Sequence, residues 1–159
     1  MGSRSNVELA YIAGFLDGDG SIMVQIKTRR DTRRGARFMA TLCFYQDTRH
    51  AKHLSWIRDV FGVGYIARRN DGMTELRING FATVLKILLL LSPHIRFKEE
   101  QARLCIQACE ILTKKKISEL SKSELHKLVN ISFAIKDNNY KSSHALTKKE
   151  VLHRLDLTP

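Results

Sequence analysis

Residues 9–20 read LAYIAGFLDGDG, an apolar helix rich in small side chains that ends in two acidic residues spaced by glycine. Such a helix is at once a packing surface and a carrier of charge. Where Ala10, Ala13 and Gly14 line one side, little bulk stands between its axis and that of a second copy, so two backbones can approach closely. In a two-fold pair each residue acquires a symmetry mate. One acid per chain then becomes two, an arrangement suited to holding divalent ions over two phosphodiester bonds. The chain contains no internal repeat and only one such helix, so the second has to come from another copy.

A chain of 159 residues, 43% of them hydrophobic, is the size of one domain and can bury a self-sufficient core. Residues 1–6 are set aside as a flexible leader, leaving 7–159 as the domain. The 27 Lys and Arg against 16 Asp and Glu give a formal charge of +11, more than solubility asks for and a sign of a polyanionic partner. Nucleic acid is the first candidate and an anionic membrane the second. The longest strongly apolar run, residues 84–91, falls far short of the ~20 residues a membrane span demands, so no membrane association is expected. Without a secretion signal at the N-terminus, an intracellular location is expected. Cys43, Cys105 and Cys109 are odd in number and lack C-x-x-C spacing, which argues against a disulfide framework or a zinc site and for small core residues. The six histidines lack metal-site spacing as well.

Apolar periodicity divides the rest of the chain. After a helix over about 7–17, residues 21–27 alternate strictly, with Ile22, Val24 and Ile26 on one side, as a half-buried strand does. Arg29, Arg30, Arg33, Arg34 and Arg37 then surround Gly35 at a basic hairpin tip, and 37–45 alternate again, with Phe38, Ala40, Leu42 and Phe44 inward. Thr48 is placed to cap a helix running to Phe61, stopped by Gly62 and Gly64. Residues 65–69 and 73–79 flank Asn70-Asp71-Gly72, a strong hairpin turn. An apolar helix over 81–91 ends at Ser92-Pro93, and a one-faced helix follows over 97–112. Ser121 with Glu124, and Thr147 with Glu150, carry capping-box signatures for two further helices, with a loop at 137–143 between them. The result is an α+β class with an αββαββα core, helices on one face of a four-stranded antiparallel sheet, and extra C-terminal helices. On the open face stand Gln25, Lys27, Arg37, Met39, Thr41, Tyr45, Arg69, Glu75, Arg77 and Asn79. That mixture of forks, amides and carboxylate suits base edges and phosphates.

Residues 12–20, IAGFLDGDG, match position by position the signature of the LAGLIDADG homing endonucleases, with Gly18 where alanine is common. The chain resembles the single-motif members of that family. The resemblance implies a saddle-shaped sheet lying along the major groove and signature helices packed at the centre of a homodimer, with Ala10, Ala13, Gly14 and Asp17 at the interface. It further implies a Mg²⁺-dependent enzyme, Mn²⁺ substituting, that cuts both strands of a long, nearly palindromic DNA duplex across the minor groove and leaves short 3′ overhangs. Asp19 is the expected metal ligand, since Mg²⁺ takes few protein carboxylates and completes its shell with water and phosphate oxygens. The family's second ligand, the carbonyl before this acid, falls on Gly18. Gln46, at the end of the second strand, and Lys98, at a helix start, match residues that order water and stabilise phosphate charge in these relatives. Where the family often has arginine one turn after the glutamine, this chain offers His50 with Arg49 beside it. Two other readings of the same fold stay open, an intron RNA maturase and a DNA-binding regulator without cleavage; Asp19, Gln46 and Lys98 together weigh against both. An organelle is an open location if the gene lies in an intron.

Overall fold

The computed structural model describes residues 5–28, 36–139 and 146–158. Arg29, Arg30, Arg33 and Arg34, expected at the first hairpin tip, lie outside the described residues. Helix α1 spans Asn6–Asp19 and begins earlier than the apolar pattern suggests. The Glu8 N–H donates to Ser5 Oγ at 3.2 Å and the Ser5 N–H donates back to Glu8 Oε2 at 3.1 Å. Ser5 and Asn6 are therefore the cap and first turn of this helix.

No loop separates α1 from strand β1 (Gly20–Thr28). A side chain at Gly20 would put its Cβ 2.6 Å from Leu16 Cδ1 and 2.9 Å from the Cys43 carbonyl oxygen, so only glycine lets the helix turn straight into the sheet. β1 pairs antiparallel with β2 (Ala36–Asp47), from Gly20 opposite Phe44 to Thr28 opposite Ala36. The second hairpin, β3 (Tyr65–Arg68) and β4 (Met73–Asn79), joins through β4 to give the order β1-β2-β4-β3. Between the hairpins Asp47, and not Thr48, caps the chain: its carboxylate accepts the Arg49 N–H at 2.9 Å. A 3₁₀ turn over Thr48–His53 comes first, so the α-helical part, α2, is confined to Leu54–Phe61. Gly62, at φ +69°, ends it in the left-handed conformation.

Alternation sends Ile22 and Val24, Phe38, Ala40, Leu42 and Phe44, and Leu76 and Ile78 to one face of the sheet, all buried. Against them lie α1, α3 (Phe81–Leu91), α4 (Glu99–Lys114) and α5 (Lys122–Asn138), with α6 (Lys148–Arg154) outermost against α5. Each large apolar side chain fully removed from water contributes about 1.5–3 kcal/mol, and Ile12 and Leu16 of α1 belong to that set. Cys105 and Cys109 sit in this core as expected. Edge strand β1 is covered from its side by α5: Ser132 Oγ donates to the Val24 carbonyl at 2.6 Å, and the Asn139 amide just beyond α5 to that of Ile22 at 3.2 Å. Among the described residues no helix covers the sheet's opposite face.

Candidate nucleic-acid and metal site

At the C-terminal end of α1 the two acids of the signature part ways. Asp17 is buried, and its carboxylate accepts the backbone N–H of Arg96 at 2.7 Å and of Lys98 at 3.0 Å. It ties the α3–α4 connection to α1 within one chain, a structural role beside the dimer-interface place expected for it. Asp19 is exposed. Lys98, next to the start of α4, donates through Nζ to the Asp17 carbonyl oxygen. Burial pushes its ammonium below the ordinary lysine value, while the carboxylates of Asp17 and Asp19 pull it back up. A buried cation thus stands in the field of an exposed carboxylate.

Gly20 pairs with Phe44, so Gln46 lies two residues along the strand from the point where the acidic helix end meets the sheet. Its Oε1 accepts the Asp47 N–H at 2.9 Å. Gln46 and His50 line one hollow of about 500 Å³ between α1 and α2. Arg49 faces elsewhere: its guanidinium forms a two-pronged bond to Asp47, at 3.0 and 2.8 Å, and lies in solvent. Through those bonds it holds the Asp47 carboxyl well below the usual carboxylate range. Of the two residues offered for the family's arginine position, His50 is the one beside the glutamine.

The open face is ordered by its own bonds. Thr41 donates to Asn79 at 2.8 Å, directly across the β2–β4 pair. Glu75 is buried at its centre, with Arg77 at 3.0 Å from one oxygen and Arg69 at 3.7 Å from the other. Arg69 also lies over the Tyr45 ring, 5.6 Å from its centroid, and the Tyr45 and Ser21 hydroxyls share a hydrogen bond of 3.0 Å. Burial pushes the Tyr45 phenol up to about 12, against the opposing pull of Ser21. Gln25 and Met39 face one another across β1–β2, as do Lys27 and Arg37 nearer the tip. Ser21 and Cys43 form a further facing pair that sequence reasoning did not assign to this surface. Cys43 is buried, but among these polar groups and not in the core; strand parity with Thr41 and Tyr45 was the available signal.

Among the described residues no helix of the same chain covers the outer side of α1. Val7, Ala10, Tyr11, Gly14 and Gly18 are exposed along it. Ala13, expected at the interface, is fully buried in the protomer's own core and has no surface to offer a partner. A Cβ built on Gly14 or Gly18 meets nothing within 4 Å. Glycine inside a helix costs about 1 kcal/mol relative to alanine, and no contact among the described residues accounts for either one.

A family model described as LAGLIDADG endonuclease matches residues 12–94. DNA endonuclease I-CvuI of Chlorella vulgaris is 33% identical over 104 residues, which take in 65% of this chain and 65% of that relative's length. DNA endonuclease I-CreI of Chlamydomonas reinhardtii is 30% identical over 156 residues, 98% of this chain and 95% of its own. The crystal structure of I-CvuI with its target in 2 mM Ca superposes with a TM-score of 0.85 at 26% identity, covering 97% of this chain and 98% of that one. A second I-CvuI structure holds the I-CreI target in 2 mM Mg with the DNA not cleaved. The archaeal intron-encoded I-Vdi141I, complexed with DNA, shares the fold at a TM-score of 0.82 and 22% identity, over 96% of this chain and 97% of that one.

Proposed function

This chain belongs to the LAGLIDADG endonuclease family, and we propose that two copies of it form a site-specific endonuclease that cuts both strands of a DNA duplex. The observation that carries this reading is Asp19, an exposed acid at the end of a helix whose outer side carries Ala10, Gly14 and Gly18, with open space over both glycines. Among the described residues no group of three or more ligating side chains comes together. One chain therefore offers a divalent ion a single carboxylate, Asp19, and the Gly18 carbonyl, one of the last-turn carbonyls that a helix leaves without a partner. Such a sparse oxygen set suits Mg²⁺, which keeps most of its shell as water and phosphate oxygens, and a second copy doubles it. Asp19 and the Gly18 carbonyl would hold the ion, and Mg²⁺, or Mn²⁺ in its place, would supply Lewis-acid activation of water and charge neutralisation at the leaving oxygen.

The chain's own residues supply the rest. Lys98, anchored on the Asp17 carbonyl, places a cation where charge builds on the phosphate. Gln46 offers its amide N–H groups to order water, with His50 beside it. The open face reads one half-site: Arg37 and Lys27 toward the tip meet phosphates, while Arg77, Gln25 and Asn79 face base edges; Thr41, expected among them, is fully buried and acts by holding Asn79. Two half-sites about one helical turn apart make a target on the order of 20 base pairs. Cleavage across the minor groove leaves short 3′ overhangs. No helix among the described residues is long and apolar enough to cross a membrane, and the excess of basic residues is assigned to DNA. The test is cleavage selection on a randomised duplex library with Mg²⁺, wild type beside Asp19→Asn. Discrete double-strand cuts by the first and binding without cutting by the second are expected; equal cutting by both removes Asp19 from the mechanism.

A further inference from the structure

Thr74 is 3% exposed, on the side of β4 whose next residues, Leu76 and Ile78, belong to the core. A hydroxyl taken out of water needs a partner, and this one shares a hydrogen bond of 2.9 Å with the Thr48 hydroxyl. Thr48, which does not cap the 3₁₀ turn, is thus its anchor: its N–H also donates to the Gly72 carbonyl at 2.9 Å. The receiving hairpin is held by bonds of its own. The Arg69 N–H donates to the Met73 carbonyl at 2.8 Å and the Met73 N–H to the Asp71 carboxylate at 3.2 Å, while Gly72, at φ +79°, supplies the left-handed residue of the turn. A six-residue 3₁₀ run is long for that geometry and holds itself poorly, so its place depends on what fastens it.

Gln46 and His50 stand at the two ends of what is fastened. Gln46 lies directly opposite Thr74 in the β2–β4 pair, and His50 follows Thr48 by two residues inside the turn. The Gln46 side chain accepts the Asp47 N–H, and the Asp47 carboxylate accepts the Arg49 N–H, so a shift at Thr48 reaches both. Next along β4, Glu75 points to the opposite, open face and engages Arg69 and Arg77. One short strand therefore carries the charged cluster on one side and the fastening of the turn on the other. We propose that Thr74 is a positioning residue for cleavage: through the Thr48 hydroxyl it fixes the 3₁₀ turn, and with it Gln46 and His50, at the scissile phosphate. The assignment rests on the reading of Gln46 and His50 given above. Neither hydroxyl touches the reacting atoms, yet a displacement of about 1 Å imposed from outside the reacting centre costs on the order of a hundredfold in rate.

Thr74→Val and Thr48→Val each remove one hydroxyl at nearly constant shape, and Thr74→Ser keeps it. On a duplex recovered from the library selection, affinity is measured in EDTA and cleavage in Mg²⁺ under single-turnover conditions. Each valine variant is expected to bind within about twofold of wild type and to cut about tenfold to a hundredfold more slowly, while Thr74→Ser cuts within about threefold of wild type. The double valine variant should be no slower than the slower single one, because both lose the same bond. Independently of activity, the backbone amide resonances of Arg49 and His50 should move in both valine variants and return in Thr74→Ser. Circular dichroism establishes folding; if Thr74→Val does not fold, Thr48→Val, at the half-buried end of the pair, carries the comparison. Valine variants that cut at the wild-type rate, that lose affinity and cleavage in equal measure, or whose losses add in the double variant overturn the proposal. A wild type that cuts no duplex in the selection defeats the endonuclease reading itself, a different result.

Discussion

Replacing Asp17 separates its structural work from the chemistry of Asp19 two residues away. Its buried carboxylate accepts two backbone N–H bonds from the α3–α4 connection, at 2.7 and 3.0 Å. Hydrogen bonds to a charged acceptor are each worth about 1.5–3 kcal/mol, and a buried donor left without a partner costs about 1–3 kcal/mol. Asp17→Ala orphans both N–H groups and is expected to lower stability by about 3–5 kcal/mol. Asp17→Asn keeps the shape and one acceptor oxygen, at a cost of about 2 kcal/mol. Against a typical total of about 5–15 kcal/mol, either change is large. Urea unfolding read as a midpoint shift at constant slope measures it. The same segment carries Lys98, whose Nζ bonds the Asp17 backbone carbonyl, so misplacement reduces cleavage on the order of tenfold to a hundredfold even where the fold survives. An Asp17→Asn loss below about 0.5 kcal/mol would refute the staple, and a loss only in dimer affinity, with protomer stability intact, would leave Asp17 with its interface role alone.

Gly20→Ala forces a Cβ to within 2.9 Å of a backbone oxygen on β2 and is expected to cost about 1–3 kcal/mol in thermal or urea unfolding. Gly14→Ala meets nothing within the described chain, so it gains about 1 kcal/mol of helix stability in the protomer while loosening the dimer in sedimentation. Glu75→Gln removes the charge that engages Arg69 and Arg77; non-specific DNA affinity is expected to rise, its salt slope to steepen by about one per freed cation, and discrimination between sites to narrow. The Lys115 ammonium at 2.6 Å, helped by the Ser121 N–H, holds Glu124 down to about 2 from its ordinary 4.5. A depressed carboxyl stabilises the fold fully above 4.5 and progressively less as pH falls toward 2, so amide protection in the first turn of α5, taken relative to the intrinsic exchange rate at each pH, should fall through that window.

Much of this was legible in the residues because period and punctuation agree. Strict alternation over Ile22, Val24 and Ile26, the Asn70-Asp71-Gly72 turn and the apolar run ended by Ser92-Pro93 each admit one local structure, and the strands and helices fall where they point. The Ser5–Glu8 capping box carries the same spacing as Ser121–Glu124 and Thr147–Glu150, but the polar residues just before it resemble a leader and hide it. Side-chain partners across the fold have no such signature. Asp17 and Asp19 look alike in an Asp-Gly-Asp stretch; only the return of the chain at Arg96 and Lys98 buries one and leaves the other in solvent. Ala13 and Gly14 are equally small, and one residue of helix rotation decides which faces the core. Glu75 reads as one more polar residue on an alternating strand until Arg69 and Arg77 close on it.

The proposed cleavage chemistry rests at every step on two chains that bring their acidic helix ends together, and Gly18→Cys tests that meeting most directly. Gly18 is exposed, with open space around it, and all three native cysteines are buried. Two cysteines bridge only where their Cα atoms come within about 7 Å. Under mild oxidation the variant is expected to run as a covalent dimer on a non-reducing gel while wild type does not; a variant that stays monomeric under the same oxidation, while still binding its DNA site, would show that the helix ends do not meet.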